Sequence, residues 1–209
     1  VDVAILCAGI TRLQACKGNP AGSAKINVEG VCQLARNLHR EGTFVICLSS
    51  NQVFDGSAPF RSPRDPPCPI TEYGRQKAEV ERRLSEGGTA GAIVRFTKIL
   101  GPQTPLFSAW AEAFRCGRSI QAYSDMTLAP VPLSWAVSIL LPVAARRLTG
   151  IFHASGNQDI SYEAAARAGA KALGIDPRLV QPVKATRDKP NSEPIPAHTT
   201  LNMSILEST

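Results

Sequence analysis

The chain has 209 residues, of which 44% are hydrophobic and 19% charged, and its formal net charge is +6. That balance suits a soluble globular protein able to bury a substantial core as one large or two small domains. No apolar run reaches membrane-spanning length, because the longest, around Trp135 to Ala145, contains Pro142 and ends in Arg146-Arg147. The basic residues are scattered and lack aromatic companions, which argues against a nucleic-acid face and favours small phosphate-bearing partners.

Val3 to Cys7 reads as a short, fully buried strand ending in a small-residue turn at Ala8-Gly9. From Ala21 to Arg40, apolar residues recur with the helical period at Ile26, Val31, Leu34, Ala35 and Leu38, and Glu41-Gly42 stops the helix. Thr43 to Leu48 predicts a second buried strand, running into Ser49-Ser50. A loop rich in proline and charge covers Asp55 to Pro69, and Thr71 opens a helix that ends at Gly87-Gly88. Ala90 to Phe96 predicts a third buried strand. Strands alternating with helices of this length predict a parallel α/β sheet, whose carboxyl edge binds ligands.

After Gly101 the texture changes. Leu106 to Arg115 predicts a helix, Ile120 to Tyr123 a strand, Pro130-Val131-Pro132 an extended segment and Ser134 to Arg147 a helix kinked at Pro142. Ile151 to Ala154 predicts another strand of the main sheet, and Ser161 to Leu173 a helix with a serine cap and Gly174 at its end. The proline-rich last thirty residues are expected to run over the surface. The six cysteines form no Cys-x-x-Cys pair and no metal-like grouping with the three histidines. Cys7 and Cys47 read as small buried hydrophobes in strands, and the setting as reduced and cytoplasmic.

Tyr73 and Lys77 stand one helical turn apart in TEYGRQKAEVERRL, downstream of the strand-end Ser50. At i,i+4 the phenol and the ammonium share a helical face, and a nearby cation favours phenolate, lowering the phenol pKa toward working pH. Such a pair suits a general acid or base delivering a proton to a carbonyl oxygen. The same spacing also fits an amphipathic surface helix, since Val80 and Leu84 continue the stripe.

Asn27, Ser50, Tyr73 and Lys77 together resemble the active-site tetrad of the short-chain dehydrogenase/reductase superfamily, in particular its extended branch containing the dTDP-4-dehydrorhamnose reductases. The resemblance rests on VDVAILCAG, INVEGVCQLAR, FVICLSSNQVFDG, PITEYGRQKAEVE, IVRFTKILGP, APVPLSWA and GIFHASGNQDISYEAAA, and more weakly on KPNSEP and LNMS. It implies a Rossmann-like parallel sheet over residues 1–100, without the glycine-rich first βαβ unit. A small C-terminal substrate domain would follow over 101–209, with 134–154 returning to the sheet. It also implies NADP or NAD as cofactor, a nucleotide-sugar substrate reduced at a 4-keto group, and room for a homodimer.

By the same resemblance Tyr73 protonates the carbonyl oxygen, Lys77 holds the nicotinamide ribose and keeps the phenol acidic, and Ser50 hydrogen-bonds the carbonyl. Asn27 anchors a water and main chain behind Lys77. Cys7, Ala8 and Gly9 form the turn over which the cofactor lies, Phe96 and Thr97 flank the nicotinamide, and Ser49 is a further cofactor candidate. Asn51 stands with Gln52 where the sugar-nucleotide reductases commonly have Asp-Tyr, and Lys98 where a tryptophan is frequent. Both positions face substrate, and Arg115 and Arg118 are diphosphate candidates. No Gly-x-x-Gly-x-x-Gly occurs, which points to a fragment or to a degenerate relative. The start at Val1 and the missing first strands favour the fragment. A rival expectation is a cofactor-binding regulatory protein resembling the methionine adenosyltransferase beta subunit.

Overall fold

The computed structural model describes residues 1–88, 91–102, 104–185 and 193–203. Four parallel strands form the central sheet in the order β1 (Val3–Leu6), β2 (Phe44–Ser50), β3 (Gly91–Phe96) and β8 (Gly150–Ala154). The expected parallel α/β architecture is therefore present, and residues 150–154 do return to the sheet beside β3. Because every pairing is parallel, Leu6, Ser50, Phe96 and Ala154 all end at one edge.

Alternation along β2 explains the two faces of the sheet. Phe44 and Ile46 pack with Val94, Phe152, Ala136 and Val143 on the side of α6 (Leu133–Ala145). Val45 and Cys47 pack on the other side with Cys32 and Ala35 of α3 (Val31–Arg40) and with Val80 and Leu84 of α4 (Glu72–Glu86). Burial on both faces is why β2 and β3 read as unbroken apolar runs. β1 departs from the expectation of full burial. It ends at Leu6, it is partly exposed, and Cys7 lies beyond it and is exposed, because among the described residues this strand pairs on one side only.

The long helix expected over 21–40 is instead three consecutive segments after a short α1 (Leu13–Gly18). These are α2 (Pro20–Ala24), a π-helical turn (Lys25–Gly30) carrying Asn27, and α3. The third strand begins at Gly91, and Ala90 lies outside the described residues.

Beyond β3, β4 (Lys98–Leu100) pairs with β7 (Pro130–Pro132), and β6 (Thr127–Leu128) pairs with β9 (Ile160–Ser161). A separate core joins α5 (Pro105–Arg115), β5 (Ile120–Tyr123), α7 (Tyr162–Ala172) and β10 (Val180–Val183) through Trp110, Phe114, Ile120, Ala166, Ala170 and Val180. Ser161 caps α7 as expected, accepting from Ala164 N–H at 3.0 Å.

The C-terminal segment does not simply run over the surface. Thr199, Thr200 and Leu201 are buried, since Asp159 accepts from the backbone N–H and hydroxyl of both threonines at 2.7–3.2 Å. Leu201 also packs with Val53 and Phe54. Lys189 to Ser192, and the final Ser204 of LNMS, lie outside the described residues.

Candidate active site

A cleft of about 540 Å³ opens at the carboxyl edge of the sheet. Ser50, Tyr73 and Lys77 all line it, together with Cys7, Asn51 and Lys98. Residues 50 and 73–77 meet because α4 starts against the 3₁₀ turn Asn51–Val53 that follows β2. Thr71 caps α4 by accepting from Gly74 N–H at 3.0 Å, and its hydroxyl also reaches Gln52 Oε1 at 3.4 Å. Gly74 is required by this close approach, because a Cβ there would collide with the carbonyl of Gln52. The glycine after Tyr73 thus sets how near the phenol can come to the end of β2.

Ser50 Oγ accepts from Gln52 N–H at 3.2 Å and donates to Asn51 Oδ1 at 3.3 Å, both long bonds that leave it open to a stronger acceptor. Lys77 Nζ donates to the carbonyl of Leu48 at 2.8 Å and stands 5.8 Å from the centroid of the Tyr73 ring. The expected acidification of Tyr73 is corrected here. The side chain is 9% exposed, and its burial pushes the phenol up to about 12, with the charges of Cys16 and Cys47 adding to the rise. Desolvation disfavours the phenolate, and the Lys77 ammonium, which donates to a backbone carbonyl, does not offset it.

Asn27 is 2% exposed and faces inward from its π-helical turn. Its Oδ1 accepts from Ile10 N–H at 2.7 Å and its Nδ2 donates to Ile10 O at 2.9 Å, so the amide brackets the main chain just after the Cys7–Ala8–Gly9 turn. Nδ2 also donates to Gln76 Oε1 at 2.8 Å. Gln76, buried, donates onward to Ser23 Oγ at 2.8 Å and Glu72 Oε1 at 3.0 Å. The main-chain anchor is therefore present. It runs through Gln76, the neighbour of Lys77, and holds the turn after β1 against α4. Cys7, Ala8 and Gly9 are exposed along that turn. A Cβ on Gly9 would press on Asn27 Oδ1 at 3.0 Å, so glycine allows the turn to lie flat. Small, uncovered residues at a parallel strand end fit a dinucleotide lying across them.

Ser49 also lines the cleft, but its hydroxyl does not share the orientation of that of Ser50. Its hydroxyl donates to Glu81 Oε1 inside the protein. Glu81 in turn accepts from Arg95 Nε at 3.0 Å and Nη2 at 2.6 Å, and Arg95 Nη1 meets His153 Nε2 at 3.2 Å. Ser49, Arg95 and His153 are direct cross-strand partners on β2, β3 and β8, so the cluster is one row of the sheet covered by α4. His153 Nδ1 faces the carbonyl of Asn202 at 3.1 Å, which makes the ring a neutral Nδ1–H tautomer accepting from Arg95. Burial first and the Arg95 charge second hold its pKa down to about 4.

Phe96 and Thr97 line the cleft, but the Phe96 ring belongs to the α6-side core and Thr97 Oγ1 donates to Ala129 O at 2.6 Å. What they turn toward the cleft is a fixed strand end. Arg115 pairs with Glu112 on an exposed face of α5, and neither Arg115 nor Arg118 lines the cleft. Sequence reasoning missed Tyr162, Thr199 and Glu193, which complete the cleft from beyond Gly101. Tyr162 and Glu193 stand in GIFHASGNQDISYEAAA and KPNSEP, but nothing local marks any of the three as cleft residues, since each arrives through tertiary packing.

A family model described as the RmlD substrate binding domain matches residues 1–209. The chain is 28% identical over 194 residues to the dTDP-4-dehydrorhamnose reductase of Mycobacterium tuberculosis, covering 89% of this chain and 64% of that protein. It is 26% identical over 191 residues to the methionine adenosyltransferase 2 subunit beta of Rattus norvegicus, covering 87% of this chain and 57% of that protein. The fold superposes on a crystal structure of dTDP-4-dehydrorhamnose reductase from Bacillus anthracis in complex with NADP. There the TM-score is 0.90 at 19% identity, over 99% of this chain and 73% of that one. The chain thus spans about three fifths of the length of these two curated relatives.

Proposed function

The chain belongs to the RmlD substrate-binding-domain family, and on that premise we propose that it carries the proton-delivering part of an NADP- or NAD-dependent reductase of nucleotide-activated 4-keto sugars, of the short-chain dehydrogenase/reductase type. The observation that carries this reading is the convergence of Ser50, Tyr73 and Lys77 on one cleft at the carboxyl edge of a parallel sheet. The names of the relatives support the substrate class, and the NADP in the Bacillus anthracis complex supports the cofactor.

The Cys7–Ala8–Gly9 turn, Lys77 and the Phe96-Thr97 strand end would hold the cofactor, while Asn51 and Lys98 face the substrate together with the region after Gly101. When bound, a nicotinamide supplies hydride to the carbonyl carbon. Tyr73 gives its phenolic proton to the carbonyl oxygen, and Ser50 Oγ turns from Asn51 to donate to that oxygen. A phenol near pKa 12 is fully protonated at neutral pH, yet remains a stronger acid than the alcohol it creates. The Lys77 ammonium beside the ring stabilises the phenolate that remains, which then regains a proton from water at the cleft mouth. Ser49 lines the same cleft, but its hydroxyl is engaged by Glu81 in the buried row beneath the site.

The test is NADPH and NADH oxidation by the natural full-length protein across dTDP- and UDP-activated 4-keto sugars. Turnover with one of them supports the reductase. The likeness to the methionine adenosyltransferase beta subunit, with Asn51-Gln52 in place of Asp-Tyr, supports a second reading as a cofactor-binding regulatory protein. Tight cofactor binding with no turnover on any sugar favours that reading.

A further inference from the structure

Glu193 is an acidic group in the cleft that the proposed chemistry leaves unused. It shares the cleft with Tyr73, Lys77 and Thr11, and its Oε1 is shut off from solvent without a hydrogen-bond partner among the described residues. A carboxylate oxygen in that state has given up its hydration, a cost removed when the side chain turns into the cleft it lines and meets a ligand's donor. The segment behind it is anchored. His198 N–H donates to Gly56 O at 3.0 Å, Thr127 Oγ1 donates to Ala197 O at 3.1 Å, and Thr199 is held by Asp159.

We infer that Glu193 is a specificity-determining residue of the cleft, accepting hydrogen bonds from the hydroxyls of a sugar ring and keeping phosphate away from its end. A carboxylate only accepts, so it selects O–H donors, and its charge repels phosphate oxygens. The ligand is then a hydroxylated ring lying between Glu193 and the Tyr73 wall, with its phosphates directed elsewhere. Two rings have this chemistry, the sugar of a nucleotide-sugar and the ribose of a dinucleotide. The inference rests on the proposed function for bringing either of them into the cleft.

Calorimetry on the natural full-length protein separates the sources, with dTDP-glucose titrated without cofactor in one arm and NADPH without sugar nucleotide in the other. Glu193→Ala is expected to weaken binding about tenfold or more in one arm, which identifies the ring, while dTDP alone binds as before. Glu193→Gln keeps the side-chain volume and retains one acceptor, so it should lose part of that affinity and report the contact even if the alanine variant folds poorly. Affinities unchanged within about twofold in both arms, or a wild-type protein that binds neither ligand, overturn the inference. Glu193-dependent binding without cofactor oxidation rejects the reductase and leaves the inference standing. Oxidation with Glu193-independent binding does the reverse.

Discussion

Two rows of side chains cross the same three strands one residue apart, Ser49–Arg95–His153 and Ser50–Phe96–Ala154. The first closes on itself under α4, where Glu81 accepts from Ser49 and from Nε and Nη2 of Arg95, while Nη1 meets His153, which completes the chain to Asn202. The guanidinium also lies over the Phe54 ring at 5.0 Å. In the second row the Phe96 ring and Ala154 join the α6-side core, while Ser50 lines the cleft and makes only long hydrogen bonds, and no hydrogen bond from the described residues lowers the Tyr73 phenol. Polar groups with every partner satisfied inside hold a structure together. Those with capacity left over are the ones free to meet a ligand.

The largest effect that separates the rows belongs to Arg95. Arg95→Met leaves Glu81 charged, buried and unpaired, and should lower unfolding free energy by about 3–5 kcal/mol in urea titration. A loss under about 1 kcal/mol would show that the row carries no stability. Next is the pH dependence of that row. With His153 held near pKa 4 in the folded chain against 6.5 when free, the unfolded state binds the extra proton between those values. Its contribution is therefore complete above pH 6.5 and is lost as pH falls toward 4, by about 3 kcal/mol at most. Denaturation midpoints measured from pH 7 to 4 should show this slope, and His153→Gln should flatten it.

The smallest stability effect is also the sharpest contrast. Ser49→Ala removes a donor from buried Glu81 and should cost about 1 kcal/mol of stability. Ser50→Ala should stay within about 0.5 kcal/mol of wild type and instead lower turnover. Equal stability losses from the two would erase the distinction between the rows.

Much of this was legible in the chain. The apolar runs around Ile46 and Val94 announced strands buried on both faces, and Thr71 with Gly87 bounded α4 within a residue. Ser50, Tyr73 and Lys77 stand out by their order and spacing, and they line one cleft. The divergence of Ser49 was also present as strand parity, since a two-residue period sends neighbours to opposite faces. Arg95 and His153 inside the runs IVRF and IFHA were a further signal, because a charge in a buried strand demands a partner. The partner, Glu81, looked like one more surface acid of a charged helix. What pattern did not carry was environment. The rise of the Tyr73 phenol comes from burial assembled by distant elements, the exposure of Cys7 from the edge position of β1, and the buried tail from the acceptors of a single aspartate, Asp159.

The division of labour is tested most directly at one oxygen atom. Tyr73→Phe removes the phenolic hydroxyl and leaves the ring in place over Lys77. Under the proposed reductase reading, cofactor oxidation at saturating substrate should fall by about 10²–10⁴-fold with the denaturation midpoint nearly unmoved. A variant that turns over as fast as the parent contradicts the assignment of that hydroxyl as the proton donor.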